Sequence, residues 1–398
     1  MHRPPEVHYS FTIPSIHDDT TLDCRVYHPD LLSEYTGETS RWKKRGIVMA
    51  HPYAPMGGSC DDRVVGVVVD EFVRAGWVVG TFNFRGAHGS KGRTSWSGRP
   101  ELNDYMSFAA FFIHYLSYVQ PYPIPHLDSM PEQSPLPSSV ESLHQQINQP
   151  PVVILGGYSY GSLILKNLPP LSSILQPFAT PVLGTAADEI LLRAHKLSDQ
   201  TNLSRLQLLR DHERGRKDKT DHGRTLSVIH GGEETPSDKR RSSREVRRSV
   251  DGFGRHSHDL GDRLRNISHR KPKDEISPVQ LVTRNAAISM PDVRYLLISP
   301  LTLPISTLAA PALGQMFWSR GKDKSQDVIG KHTSLAVYGD HDVFSSAKKI
   351  REWAVQLRAE PGSCFSSVEV AGAGHFWVEK GVEEKLRNAL REWEVGVR

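Results

Sequence analysis

Residues 152 to 163, VVILGGYSYGSL, constrain this chain more than any other stretch. A short apolar run meets Gly157-Tyr158-Ser159-Tyr160-Gly161, and the segment YGSLILKNL, of helical character, follows at once. Such a run is what a strand covered on both faces requires. Glycines two residues either side of a serine permit a turn too tight for a flanking Cβ, with the hydroxyl exposed at its apex. The pentapeptide alone is short enough to arise by chance, so its place between strand and helix is what gives it meaning. Ser159 is therefore expected to be a nucleophile, and the N–H of Tyr160, opening the helix, to face an oxyanion on the substrate carbonyl.

The rest of the chain alternates strand and helix signals, the pattern of a mostly parallel sheet flanked by helices. VHYSFTI and TLDCRVYH read as an opening pair of strands, followed by the strands RGIVMAHP and WVVGTFNFRG. Between the last two, DDRVVGVVVDEFVRAG is a predicted helix with Asp61 or Asp62 as N-cap and Gly76 as stop. In NDYMSFAAFFIHYL the residues Tyr105, Phe108, Ala109, Phe112 and Leu116 fall on one helical face. After residue 290, VRYLLIS, TSLAVYGDHD and SVEVAGAGHFW are predicted strands. SSAKKIREWAVQLRAEPG is a helix capped by Ser345 or Ser346, and KGVEEKLRNALREWEV is a closing amphipathic helix.

Two stretches break the rhythm. Residues 119–150 are proline-rich and polar, a surface insertion. Residues 210–277 are charged and poor in large apolar side chains, a composition that buries too little surface to offset chain entropy, so a disordered insert is expected there. Apolar spacing through Ile190, Ala194 and Leu197 predicts cap helices over 181–209. The net charge of +4 resides in the insert: residues 210 to 275 hold 18 Lys and Arg against 13 Asp and Glu, the remainder 31 against 32. That distribution, without interleaved aromatics, argues against nucleic acid as a partner. Arg240 to Ser243 match a basophilic kinase site, although a solvated charge run is the simpler reading. No run approaches the length of a membrane span, and the N-terminus lacks a signal-peptide pattern, so a soluble, cytoplasmic protein is expected. Cys24, Cys60 and Cys364 are far apart and odd in number, which predicts free thiols, with no metal site and no cofactor.

A serine hydroxyl needs a base, and the base needs an orienting acid. His375 follows the last predicted strand amid glycines in AGAGHFW and is the expected base. The acid should follow a strand between serine and histidine. Asp342 in VYGDHDVF is favoured because it sits two residues beyond the strand end; Asp340 is the alternative acid, with an Asx turn beside Gly339 as its simpler role.

Taken in order, HPYAPMGGS, NFRGAHGSKG, GGYSYGS, YGDHD and GAGHFW resemble the α/β-hydrolase superfamily, most closely its dienelactone-hydrolase-like, predicted esterase branch. The resemblance covers residues 5–180 and 290–398. It implies an α/β-hydrolase fold over 1–180 and 290–398, with a cap or lid insertion and the disordered charged insert as departures from compact members. It also implies a second oxyanion donor in the loop after His51-Pro52, carried to the N–H of Tyr53, with Ala54 as its neighbouring candidate. His51 is then a loop brace, Arg85 a structural hydrogen-bond donor, and Gly86 to Gly92 a tight loop. The expected activity is Ser-His-Asp hydrolysis of a small-molecule acyl substrate by water, a carboxylic ester first. A thioester or acyl-peptide hydrolase, with PALGQMFW helping to hold a larger partner, and a non-catalytic scaffold of the same fold are the rival readings, and the oligomeric state is left open.

Overall fold

Apolar residues of β3 (Arg45–Ala50) fall alternately into two cores, Val48 and Ala50 on one side and Ile47 and Met49 on the other. The alternation repeats in β5 (Val152–Tyr158), where Val153 and Leu155 oppose Ile154, and in β6 (Asp292–Ile298), where Val293, Tyr295 and Leu297 oppose Leu296 and Ile298. Both faces of these strands are covered, which is why 47–50, 152–155 and 295–298 are unbroken apolar runs. With β1 (Tyr9–Pro14), β2 (Thr21–Tyr27), β4 (Val78–Phe82), β7 (Ser334–Gly339) and β8 (Phe365–Val370) they form one sheet in the order β1-β2-β4-β3-β5-β6-β7-β8. β2 is antiparallel to both neighbours, and every pairing from β4 to β8 is parallel. This is an α/β-hydrolase fold. It gathers the carboxyl ends of six parallel strands at one edge, where open α/β sheets place their ligand sites.

The computed structural model describes residues 5–33, 42–120, 150–221, 288–313 and 328–397. The chain divides into two units, Met1–Arg216 with Ala287–Arg398, and Lys217–Ala286; of the second, only the helical backbone of 217–221 is described. The expected 119–150 insertion and 210–277 insert therefore lie largely outside the described residues, as does the GQMFW end of the PALGQMFW segment.

The helices are α1 (Asp30–Ser33), α2 (Arg63–Arg74), α3 (Arg99–Tyr118), α4 (Tyr160–Lys166), α5 (Leu171–Ala179), α6 (Ala186–Asp221), α7 (Ile305–Ala309), α8 (Val328–Lys331), α9 (Ala347–Arg358) and α10 (Val382–Gly396). Asp62 is the N-cap of α2, its carboxylate accepting the Val64 N–H at 2.8 Å, while Asp61 pairs instead with Arg25. Gly76, just past the Ala75 cap, has φ +87°, the left-handed conformation that ends a helix. α2 and α10 cover one sheet face, clasped by Arg387 on Asp70 and Glu71 (2.7 and 2.6 Å) and by Arg391 on Glu71 (2.6 Å).

Three elements depart from the sequence reading. α3 is not a one-face amphipathic helix, because from Asp104 to Leu116 all but Met106 are buried. It lies against the sheet on one side while Phe111 meets Phe11, His114 meets Phe178 and Tyr115 reaches Thr201 on the others. The expected cap helix or two at 181–209 is a single helix, α6, and it continues through 210–221, where a disordered insert was expected to begin. Its side chains reach β1 and the end of α3: Thr201 meets Tyr9 and Tyr115, His195 meets Tyr118, and Asn202 meets Tyr118 and Gln120. Through these contacts α6 buttresses α3. α5, with Ile174, Leu175 and Phe178 buried, carried no sequence expectation.

Buried neutral histidines make the fold acid-sensitive. Burial lowers His51 and His114 to about 4 each and holds His28 well below the ordinary value of 6.5. The unfolded chain takes up these protons below about 6.5 while the folded chain resists to about 4. Their contribution is thus complete above pH 6.5 and lost as pH falls from there through 4. Asp18, held at about 2 chiefly by its bonds to Arg85, acts in a separate window, from 3.8 down to 2. Urea midpoints should drop between pH 7 and pH 5, and less in His114→Phe; an equal drop in both proteins would remove His114 from the account.

Candidate active site

Ser159 ends β5 and opens α4 with φ 56° and ψ −112°, a conformation that costs a non-glycine residue about 1–3 kcal/mol. The glycines around it are required by space. A Cβ on Gly157 would lie 2.4 Å from the carbonyl of Gly161, and one on Gly161 would lie 2.6 Å from the Ala50 carbonyl oxygen. The turn is tied across to β6, where Ile298 O accepts the Ser159 N–H at 2.9 Å and the Ser162 hydroxyl at 2.9 Å.

The structure brings Ser159, His375 and Asp342 into one hydrogen-bonded line. His375 Nε2 is 2.8 Å from Ser159 Oγ, and His375 Nδ1 is 2.7 Å from Asp342 Oδ2. The second oxygen of Asp342 accepts the N–H groups of Phe344 and Ser345 at 2.8 and 2.9 Å, and its side chain is wholly buried. An ionised carboxylate only accepts, so Nδ1 carries the imidazole proton and Nε2 is left to accept the serine hydroxyl. Asp340 is turned elsewhere: it is exposed, and its Oδ1 accepts the Gly372 N–H at 2.6 Å.

The His375 loop is pinned on both sides. Tyr158 Oη donates to the His375 carbonyl at 2.8 Å, and Trp377 Nε1 donates to Ser299 Oγ at 3.0 Å. Trp377 and Ser299 have φ +55° and +45°, so three strained non-glycine residues adjoin the line. Ala373 packs on Gly339 at the end of β7, its carbonyl accepting the His341 N–H at 3.0 Å.

His51 uses both ring nitrogens. Its Nε2 accepts the Phe84 N–H at 2.9 Å, which leaves Nδ1 to donate to Pro52 O at 2.6 Å. A buried histidine so committed braces the loop that carries Tyr53. The ring of Tyr53 lies 5.0 Å from that of Tyr160, so the two expected oxyanion donors are on adjoining segments. Arg85 spends its guanidinium on Asp104 (2.9 and 2.7 Å) and Asp18 (2.9 Å), a structural role. Ser90 closes the 86–92 loop by donating to Asn83 O at 2.7 Å.

Sequence reasoning did not single out Tyr158, Phe344 or Phe376. Tyr158 lay inside the motif, but a tyrosine in a buried strand signals packing as readily as a hydrogen bond. Phe344 and Phe376 set their rings edge-on to His375, with centroids 4.8 and 5.5 Å away. Adjacency to Asp342 and His375 was the only signal that could have found them.

Among the described residues no helix is long and apolar enough to cross a membrane. No family model matches the chain, and no curated protein does. Solved structures similar to it include an alpha-beta serine hydrolase homologue from Coxiella burnetii, at 14% identity over 97% of both chains with a TM-score of 0.42. A serine hydrolase without lid from Xanthomonas campestris aligns at 12% identity, over 98% of this chain and 96% of that one, with a TM-score of 0.43. An esterase from Pyrococcus furiosus aligns at 10% identity over 98% of each chain, with a TM-score of 0.40. The fold assignment rests on the strand order and the serine turn, not on these likenesses.

Proposed function

We propose that the chain is a serine hydrolase acting on carboxylic esters of small or medium-sized molecules through an acyl-enzyme. The observation that carries this reading is the continuous line Asp342, His375, Ser159 at the carboxyl edge of the sheet, with the serine held at positive φ. In the proposed reaction Ser159 Oγ attacks the ester carbonyl as its proton passes to His375 Nε2, and Asp342 stabilises the imidazolium. The N–H groups of Tyr160 and Tyr53 take the oxyanion. Collapse of the tetrahedral species breaks the carbonyl–alkoxy bond, and His375 returns its proton to the departing alcohol. Water, deprotonated by His375, then attacks the acyl-enzyme and releases the acid and the free serine. The machinery needs no metal or cofactor.

Thioesters and amides offer the same carbonyl, and an amide's leaving group makes the greatest demand on the general acid, which places amides last. The scaffold reading leaves the strained serine and its committed histidine without a use. A fluorophosphonate probe decides between them: the wild-type protein should be labelled at Ser159, and Ser159→Ala should not be labelled while keeping its circular dichroism. Folded wild-type protein that takes up no probe at Ser159 would sink the enzyme reading.

A further inference from the structure

We propose that the alcohol portion of the substrate is apolar and is selected by Phe376; the proposal rests on the ester-hydrolase reading above. Exposed apolar side chains are unremarkable when scattered singly. Here Met56, Val343, Phe376 and Val378 are 64, 79, 50 and 63% exposed, and all four stand on the three short loops that carry Tyr53, Asp342 and His375. The ring of Phe376 is held at that position, 5.5 Å from His375 and 5.7 Å from Phe344 between centroids.

The chemistry says which part of a substrate meets that ring. His375 Nε2 must deliver its proton to the leaving oxygen, so the alcohol carbon chain departs over the imidazole and onto its neighbours. Those neighbours are Phe344, half-buried, and Phe376, with half its surface open. The acyl chain leaves the carbonyl carbon on a different bond and is not directed to His375 by this requirement. An apolar or aromatic alcohol would cover the open face of Phe376 and displace water from it, and a ring at this spacing favours an edge-to-face partner. A methyl ester has nothing to place there.

The test varies each side of the ester separately. kcat/KM is measured for methyl, butyl and benzyl acetate, then for ethyl acetate, butyrate and hexanoate, by titrating released acid, with wild type, Phe376→Ser, Phe376→Leu and Val395→Ser as an exposed control on α10. Phe376→Ser should lower the benzyl-to-methyl ratio about tenfold relative to wild type, the scale on which an apolar contact discriminates substrates. Phe376→Leu should recover most of the ratio, Val395→Ser should not move it, and the hexanoate-to-acetate ratio should stay within about twofold throughout. An unmoved benzyl-to-methyl ratio, or a loss that appears in the acyl series instead, would overturn the proposal while leaving Ser159-dependent turnover intact. Absence of any Ser159-dependent hydrolysis would instead remove the reading beneath it.

Discussion

Asp342→Asn should lower kcat on an ester about 10⁴-fold without unfolding the protein. The asparagine oxygen can still accept the Phe344 and Ser345 N–H groups, so the turn persists. Its amide nitrogen then faces His375 Nδ1 and donates, which forces Nδ1 to accept and moves the imidazole proton to Nε2. A protonated Nε2 cannot take the serine proton, and the loss follows from the wrong tautomer, not from lost structure. Asp340→Asn removes only a charge from an exposed turn whose bond to the Gly372 N–H an amide oxygen can also make, so its kcat should stay within about tenfold of wild type. Steady-state kinetics on both variants, with circular dichroism to verify folding, check the assignment; a larger loss for Asp340→Asn would reverse it.

Gly339→Ala should lose at least about 10²-fold in kcat and destabilise the protein by about 3 kcal/mol or more. Gly339 sits at the end of β7, three residues before Asp342, in a backbone conformation any residue can adopt. The constraint is space. A Cβ there would fall 1.9 Å from the Ala373 carbonyl oxygen and 2.5 Å from its carbon, both backbone atoms. Ordinary contact begins near 3.4 Å, so the acid strand and the histidine loop must part by more than 1 Å. Overpacking of this kind costs about 1–3 kcal/mol where side chains can yield, and more where backbone must. A 1 Å misplacement of reacting groups is enough for about a hundredfold loss of rate. The variant's urea midpoint and its kcat should fall together. An unchanged kcat would mean that the gap between β7 and the His375 loop can widen without disturbing the line.

Much of this was legible in the sequence because period and punctuation are local. The apolar runs of β3, β5 and β6, the Asp62 and Ser346 caps and the glycine spacing about Ser159 depend on nearest neighbours alone, and the structure bears each of them out. Asp342 was separated from Asp340 only by its distance past the strand end; the structure separates them by what each carboxylate accepts. What failed was non-local. α3 is buried nearly all round because α5, α6 and β1 close on its outer side, and its own spacing carries no record of them. α6 runs past residue 210, whereas composition alone reads the same residues as unfolded. The rings around His375 are invisible to periodicity because they lie on loops, where side-chain direction follows from tertiary structure.

The two pins on the histidine loop divide labour in a way selection can exploit. His375 is fixed through its carbonyl by Tyr158, and Trp377 through its indole by Ser299, so the backbone of Phe376 is held from both sides by bonds that do not involve its own side chain. On the proposed ester-hydrolase reading, substitution at 376 would change the alcohol accepted without repositioning the proton-transfer groups. Descendants of such a chain can change diet by single mutations and keep the same reaction.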